Sequence, residues 1–492
     1  MAKKHTKLLK GGAVLIVGEV VNRLSGLLRN FIVARVIAPE QFGIAAALAM
    51  SVSLVEMLSD LGAGRYLTRT HSTDDGQSWM AVAHAIALCR GAINALALFL
   101  IAPLIADLMH MTDVTWAFRA VAIVPLFRSL THNQIWLAQR DLRYKAFVFC
   151  QAMPQLLTLA LAWPIAHWLG DFRAMLLLLV LNNFLATFLS HIAATVPYRV
   201  HFDKEKFLKI LTFGLPLLGD GLLMFIVLEG ERVVIANVYD KMTLGAYSAA
   251  FLLAWTPAAM LGRVGLSLGV PQLASLRNDT ASRDAHYRIG VQLMLAPAIG
   301  LVILFGFAGP AFITAIYGQK YQVSAALAGW LGLSQAIRIL RTFPTVIAIA
   351  EGFTLSAMIA NIARAGSVGV AWVIARQGHP PWTVLAIGAA GEFLALLISL
   401  GINRFVLAIS PRSFILPSLS LGAIFALSWW IGQWETLVAM PILLRALLGV
   451  AAGGLAALVV LGMIPSARLV LAGFIKYRPA PLPMTNMPHR ES

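Results

Sequence analysis

Apolar residues recur from one end of the chain to the other in runs of about 20, joined by short polar links, and a run of that length crosses a bilayer as a helix. The pattern predicts fourteen such helices. Their approximate spans are 12–36, 42–63, 80–104, 115–137, 147–168, 173–195, 210–236, 244–268, 288–308, 323–349, 354–375, 383–403, 414–432 and 438–464. The longest links, 64–79 and 196–209, leave no room for a soluble catalytic domain. The stretch 479–492 carries four prolines and few apolar residues, and reads as a disordered tail.

The chain also repeats itself weakly. Slid by 202 residues, Asn30–Val36 faces Arg232–Val238 and Gly43 faces Gly245, each beside a short link between two predicted helices. The expected fold class is therefore an all-α integral membrane protein of about 14 transmembrane helices, with two six-helix lobes related by a pseudo-two-fold plus two C-terminal helices. The implied division is an N-terminal lobe at 1–209, a C-terminal lobe at 210–404, the last two helices at 405–465 and a cytoplasmic tail at 466–492. In repeats of this kind the substrate site lies between the halves near the midplane, and one half rocks against the other.

Composition agrees. Apolar residues are 59% of the 492 and charged residues only 12%, far from a soluble protein. If the N-terminus is cytoplasmic, only Arg173, Lys241, Lys320 and Arg376 of the loop cations fall on the far side, which is the asymmetry of the positive-inside rule and makes both termini cytoplasmic. The net charge of +16 then needs no nucleic acid. Lys3, Lys4, Lys7 and Lys10 precede an apolar stretch as in a signal peptide, but Glu19, Arg23 and Arg29 interrupt it, so the first segment is expected to be retained.

Charge inside the predicted spans is the strongest chemical signal. Twelve arginines and none of the eleven lysines lie there: Arg23, Arg29, Arg35, Arg90, Arg119, Arg128, Arg232, Arg263, Arg338, Arg341, Arg364 and Arg445. Each costs roughly 2.5–3.5 kcal/mol at the bilayer centre, so each must face a wet cavity, pair with an acid or snorkel. Guanidinium also offers a planar fork suited to phosphate. Arg23, Arg29 and Arg35 are six residues apart and so point about 120° from one another. Arg23 shares a polar stripe with Glu19, Asn22, Gly26 and Asn30. Arg338 and Arg341 share one face, where two like charges repel unless an anion joins them. The expected substrate-binding residues are Arg23, Arg29, Arg90, Arg128, Arg338 and Arg341. Arg35 and Arg119 read as snorkelling, and Arg364 and Arg445 as structural.

Among the acids at membrane depth, Glu19, Glu56, Asp60 and Glu392 are candidates for coupling or gating, since burial favours a protonated carboxyl. Glu19–Arg23 and Glu229–Arg232 also have the spacing of helical ion pairs. Proton and sodium coupling both remain open. No phosphate loop, metal cluster or nucleophile elbow occurs in the sequence, so an enzyme and a cofactor are not expected.

The run from Arg23 through Arg29, Arg35 and Pro39 to Gly43, then Ser59–Gly64, Arg140–Lys145 and Gly230-Glu231-Arg232 followed by Gly245-Ala-Tyr247, resembles polysaccharide flippases of the Wzx type. Their superfamily also holds the lipid II flippases and the multidrug and toxin extruders. The resemblance implies transport of an undecaprenyl-pyrophosphate-linked oligosaccharide to the periplasmic leaflet of a bacterial inner membrane, by alternating access through an arginine-lined cavity. Membrane lipids surround such a protein, and a polysaccharide polymerase and chain-length proteins are its candidate partners. The first helix also resembles that of lipid II flippases, where arginines matching Arg23 and Arg29 line the cavity. Glu56 stands where those carry an arginine, and Leu252 and Leu253 occupy the region of their eighth-helix arginine. These departures favour the exopolysaccharide or O-antigen branch. A drug or cation extruder would want an acidic cavity, and a membrane glycosyltransferase or polymerase a sizeable external loop.

Overall fold

A backbone in hydrocarbon must satisfy its own hydrogen bonds, and helix is the only regular element among the described residues. A computed structural model describes residues 2–69, 76–140 and 144–463. The predicted tail and the Asp141–Arg143 part of the Arg140–Lys145 motif lie outside them. The first group of helices is α1 (Ala2–Val36), α2 (Pro39–Leu58), α3 (Ala63–Arg69), α4 (Gly76–Leu108), α5 (Thr115–Ala120), α6 (Ile123–Ser129), α7 (Gln134–Arg140), α8 (Tyr144–Leu169) and α9 (Arg173–Ile192). The second is α10 (Lys204–Val238), α11 (Lys241–Ser275), α12 (Thr280–Tyr317), α13 (Ala325–Ala350), α14 (Leu355–Arg376), α15 (Trp382–Phe405), α16 (Arg412–Ile431), α17 (Glu435–Val438) and α18 (Ile442–Gly462).

Every predicted run falls on helix, but the count of spans differs. Eleven of the described helices are long and apolar enough to cross a membrane, or thirteen if each of two bent pairs is one span. Helix α1, the expected first span, is not among the helices counted.

The run expected at 115–137 is three helices, with a 51° bend at the second break. Local chemistry explains it. Pro125 has no N–H to give. Beyond α6, three backbone donors turn to side chains: His132 N to Ser190 Oγ at 2.9 Å, Asn133 N to His84 Nε2 at 2.9 Å and Gln134 N to His132 Nδ1 at 3.2 Å. Side-chain acceptors thus replace the carbonyls a continuous helix would use. Helices α10 to α13 instead begin cleanly, on Asp203, Asp240, Asp279 and Ser324, each accepting a backbone N–H three residues on.

Helices α1–α9 pack mainly on one another, as do α10–α18, and the groups meet chiefly where α2 lies against α10 and α11. At one end of that seam the helix joins repeat at an interval of 202 residues: Val36 to Val238 and Pro39 to Lys241. The contact there is reciprocal. A Cβ on Gly43 would strike the Lys241 carbonyl, and a Cβ on Gly245 the Pro39 carbonyl. Each glycine touches the counterpart of what the other touches, the signature of a two-fold contact.

Arg35 closes the same end. Arg35, read as snorkelling, is exposed there and donates from Nε to the Ile316 carbonyl at 2.6 Å and from Nη2 to that of Ala315 at 2.5 Å. These are last-turn carbonyls of α12, which no helical N–H can reach, and a cation suits that end of the helix dipole. Lys320 returns a bond to the Arg35 carbonyl at 3.0 Å, and Lys241 pairs with Asp113 at 2.8 Å.

Candidate functional site

The polar stripe of α1 opens on a cavity of about 790 Å³ bounded by α1, α7, α8 and α11. Arg23 pairs with Glu19 at 2.6 Å, one turn back, as the spacing predicts. Arg263 of α11 reaches the same Glu19 oxygen at 3.0 Å. Two guanidinium groups, one from each helix group, therefore share one carboxylate, and the wall keeps a net positive charge. The Arg23 guanidinium also lies 5.4 Å from the centre of the Trp255 ring.

A second cavity of about 510 Å³ shares Asn22, Trp136, Gln151 and Gln155 with the first, and Asp60, Arg90 and Arg128 line it. Three cations there share two anions. Arg90 lies 3.3 Å from Asp60, which Arg65 also pairs at 2.5 Å, and Arg128 pairs with Glu56 while giving Nε to Asn183 at 2.7 Å. Asp60 further accepts from Gly62 N at 2.9 Å, and Gly62 has φ +63°, which a side-chain-bearing residue rarely adopts. Asp60 thus holds the turn after α2.

Arg29 points elsewhere, as its 120° offset from Arg23 requires. It donates to Gln155 at 3.0 Å and Thr158 at 3.1 Å on α8. Arg29 itself lines neither cavity, but its partner Gln155 lines both.

Arg338 and Arg341 lie within the second group, and the anion between them is Glu392 of α15. Arg338 Nε is 2.7 Å and Arg364 Nε 2.6 Å from one carboxylate oxygen, and Arg341 Nε is 3.5 Å from the other. Glu392 is 0% exposed. Three cations surround one anion, and the two Nη atoms of Arg338 are buried without a hydrogen-bond partner. Arg364, read as structural, is a full member of this cluster. The expected Glu229–Arg232 pair forms at 2.9 Å.

Site reasoning from sequence missed Arg263. It stood out as a charge in an apolar run, but α11 is apolar on most sides, and its rotation toward α1 is set by packing. Among the described residues no group of three or more His, Cys, Asp or Glu side chains could hold a metal.

Comparison with known proteins agrees with this architecture. Residues 32–326, from within α1 to the start of α13, match the model of the family described as polysaccharide biosynthesis protein. The chain is 22% identical over 327 residues to the lipopolysaccharide biosynthesis protein WzxC of Escherichia coli K12, a match spanning 64% of this chain and only 64% of that relative. It is 24% identical over 414 residues to the succinoglycan biosynthesis transport protein ExoT of Rhizobium meliloti, covering 76% and 82%. Among solved structures, lipid II flippase MurJ in an inward closed conformation superposes with a TM-score of 0.70 at 13% identity, over 93% of this chain and 100% of that one. An inward-facing multidrug resistance MATE family transporter of the MOP superfamily gives 0.59 at 13%, over 82% and 95%. The fold is the one these transporters share, and the family match takes in well over half of the sequence: the chain belongs to the polysaccharide biosynthesis protein family.

Proposed function

We propose that the protein is a flippase that carries an undecaprenyl-pyrophosphate-linked oligosaccharide from the cytoplasmic to the periplasmic leaflet of a bacterial inner membrane, for exopolysaccharide or O-antigen synthesis. The observation that carries this reading is the cavity where Arg23 and Arg263, from opposite helix groups, share Glu19. A pyrophosphate crossing hydrocarbon unaided faces a desolvation cost on the order of tens of kcal/mol. Forked donors on two groups that move relative to each other can hold it throughout, while the polyprenyl tail stays in lipid. The relatives' roles in lipopolysaccharide and succinoglycan biosynthesis support the substrate class. A net-positive wall is the wrong sign for a cation extruder.

In this reading residues 1–209 and 210–404 rock as two lobes, and Arg29, Arg90, Arg128, Arg338 and Arg341 furnish further cationic positions along the path. Glu19, Glu56, Asp60 and Glu392 supply the carboxylates through which protons or sodium would couple. A polysaccharide polymerase and chain-length proteins would receive the product.

The test is transport of the lipid-linked glycan in proteoliposomes. Lysine keeps the charge of Arg23 or Arg263 but loses the fork, so either Arg→Lys change is expected to slow flipping about tenfold, the equivalent of roughly 1.4 kcal/mol. Arg23→Ala is expected to abolish it. Near-normal flipping by both lysine variants, at normal protein levels, would overturn the reading.

Orientation has its own test. With cytoplasmic termini, a cysteine placed at the exposed Thr280 should label only from the cytoplasmic side and one at the exposed Gln319 only from outside. Labelling of Gln319 from the cytoplasm would reverse the assignment.

A further inference from the structure

The cavity beside Arg23 contains more polar chemistry than a pyrophosphate needs. Carboxamides of Asn30 on α1, Gln139 on α7, and Gln151 and Gln155 on α8 line it, together with the indoles of Trp136 and Trp255. A phosphate accepts hydrogen bonds only, and a polyprenyl chain makes none. A carboxamide both donates and accepts without net charge, which matches a hydroxyl, itself donor and acceptor. Amides within a membrane bundle are often hydrogen-bonded glue between helices. Here the carbonyl oxygens of Asn30 and Gln139 are buried and have no partner in the chain. Gln155 is already held from behind by Arg29 at 3.0 Å.

The Trp136 ring is fixed in its plane. It lies so close to Gly64 that a Cβ there would come within 2.6 Å of the indole, and Phe147 packs 5.6 Å from it, centre to centre. A ring held this way presents an apolar face at little entropic cost on binding. The C–H faces of pyranose rings offer the complementary apolar surface. The two adjoining cavities, about 790 and 510 Å³, fall in the range of roughly 300–1,000 Å³ that binding sites occupy.

We propose that this amide and indole lining is the glycan-recognition surface of the transporter, with sugar hydroxyls bonded to Asn30, Gln139 and Gln151 and pyranose faces against Trp136 and Trp255. The assignment rests on the flippase reading and divides the cavity by chemistry: arginine for the pyrophosphate, amide and indole for the sugars next to it.

The experiment measures binding to the full-length protein in detergent by native mass spectrometry. The probes are undecaprenyl pyrophosphate and its glucosyl and galactosyl derivatives. At least one sugar-bearing lipid is expected to bind about tenfold more tightly than the bare lipid, roughly 1.4 kcal/mol. Gln139→Leu, Gln151→Leu and Trp136→Leu should each erase most of that difference while leaving bare-lipid binding within about twofold. Arg23→Lys should weaken all three lipids and preserve the difference. Equal binding of bare and glycosylated lipids, or equal weakening of both by the glutamine and tryptophan variants, would overturn the proposal. If no lipid bound the unaltered protein, the flippase reading would fall first.

Discussion

Glu392→Ala is expected to cost the protein about 3–5 kcal/mol of stability, the usual penalty for breaking a buried ion pair by removing one partner. Arg338, Arg341 and Arg364 all face this one carboxylate, and it is wholly buried. Without it three guanidinium groups confront one another away from water. Glu392→Gln keeps the shape but not the charge, and should be nearly as severe. Removing a cation at the same time should restore part of the loss, so Glu392→Gln with Arg364→Leu is expected to be more stable than Glu392→Gln alone. Thermal unfolding of the purified protein, read beside its level in the membrane, checks both. An unshifted midpoint for Glu392→Gln would show that the arginines do not depend on it, and would leave transport loss in that variant attributable to coupling.

His84→Phe is the second change with a large expected effect. His84 is fully buried on α4 and ties three segments together. Its Nε2 accepts from Asn133 N at 2.9 Å, so its Nδ1 carries the proton and donates to the Arg199 carbonyl at 2.9 Å. Tyr198 stacks on the ring at 3.9 Å between centres. Phenylalanine preserves the stack and removes both bonds, leaving a buried N–H and a carbonyl unpaired at about 1–3 kcal/mol each. The break between α6 and α7 and the link after α9 should loosen together. Hydrogen exchange should rise at residues 132–134 and 196–201. Unchanged exchange at both places would show that the histidine is not the tie.

The helices were readable because each apolar run is long and its boundaries are marked by charge. The break between α6 and α7 was not, because its cause lies on other helices: Ser190 and His84 supply acceptors 58 and 49 residues away. The same division holds at the site. Arg23 with Glu19 is a contact within one helix, so spacing alone predicts it. Arg263 with Glu19, Arg35 with the end of α12, and Glu392 with three arginines each join different helices. Charge in an apolar run says that a partner must exist, and only packing says which.

In the proposed rocking of the two lobes, the paired glycines at the helix joins would make that end of the seam a bearing. Where Gly43 meets the Lys241 carbonyl and Gly245 the Pro39 carbonyl, backbone lies on backbone. Turning about the local two-fold preserves such a contact, whereas interlocked side chains would have to unmesh rotamer by rotamer. What parting the surfaces forfeits there is dispersion, about 0.1–0.2 kcal/mol for each atom pair. The polar links around the bearing, Arg35 with α12 and Lys241 with Asp113, are bonds that water can take over one at a time.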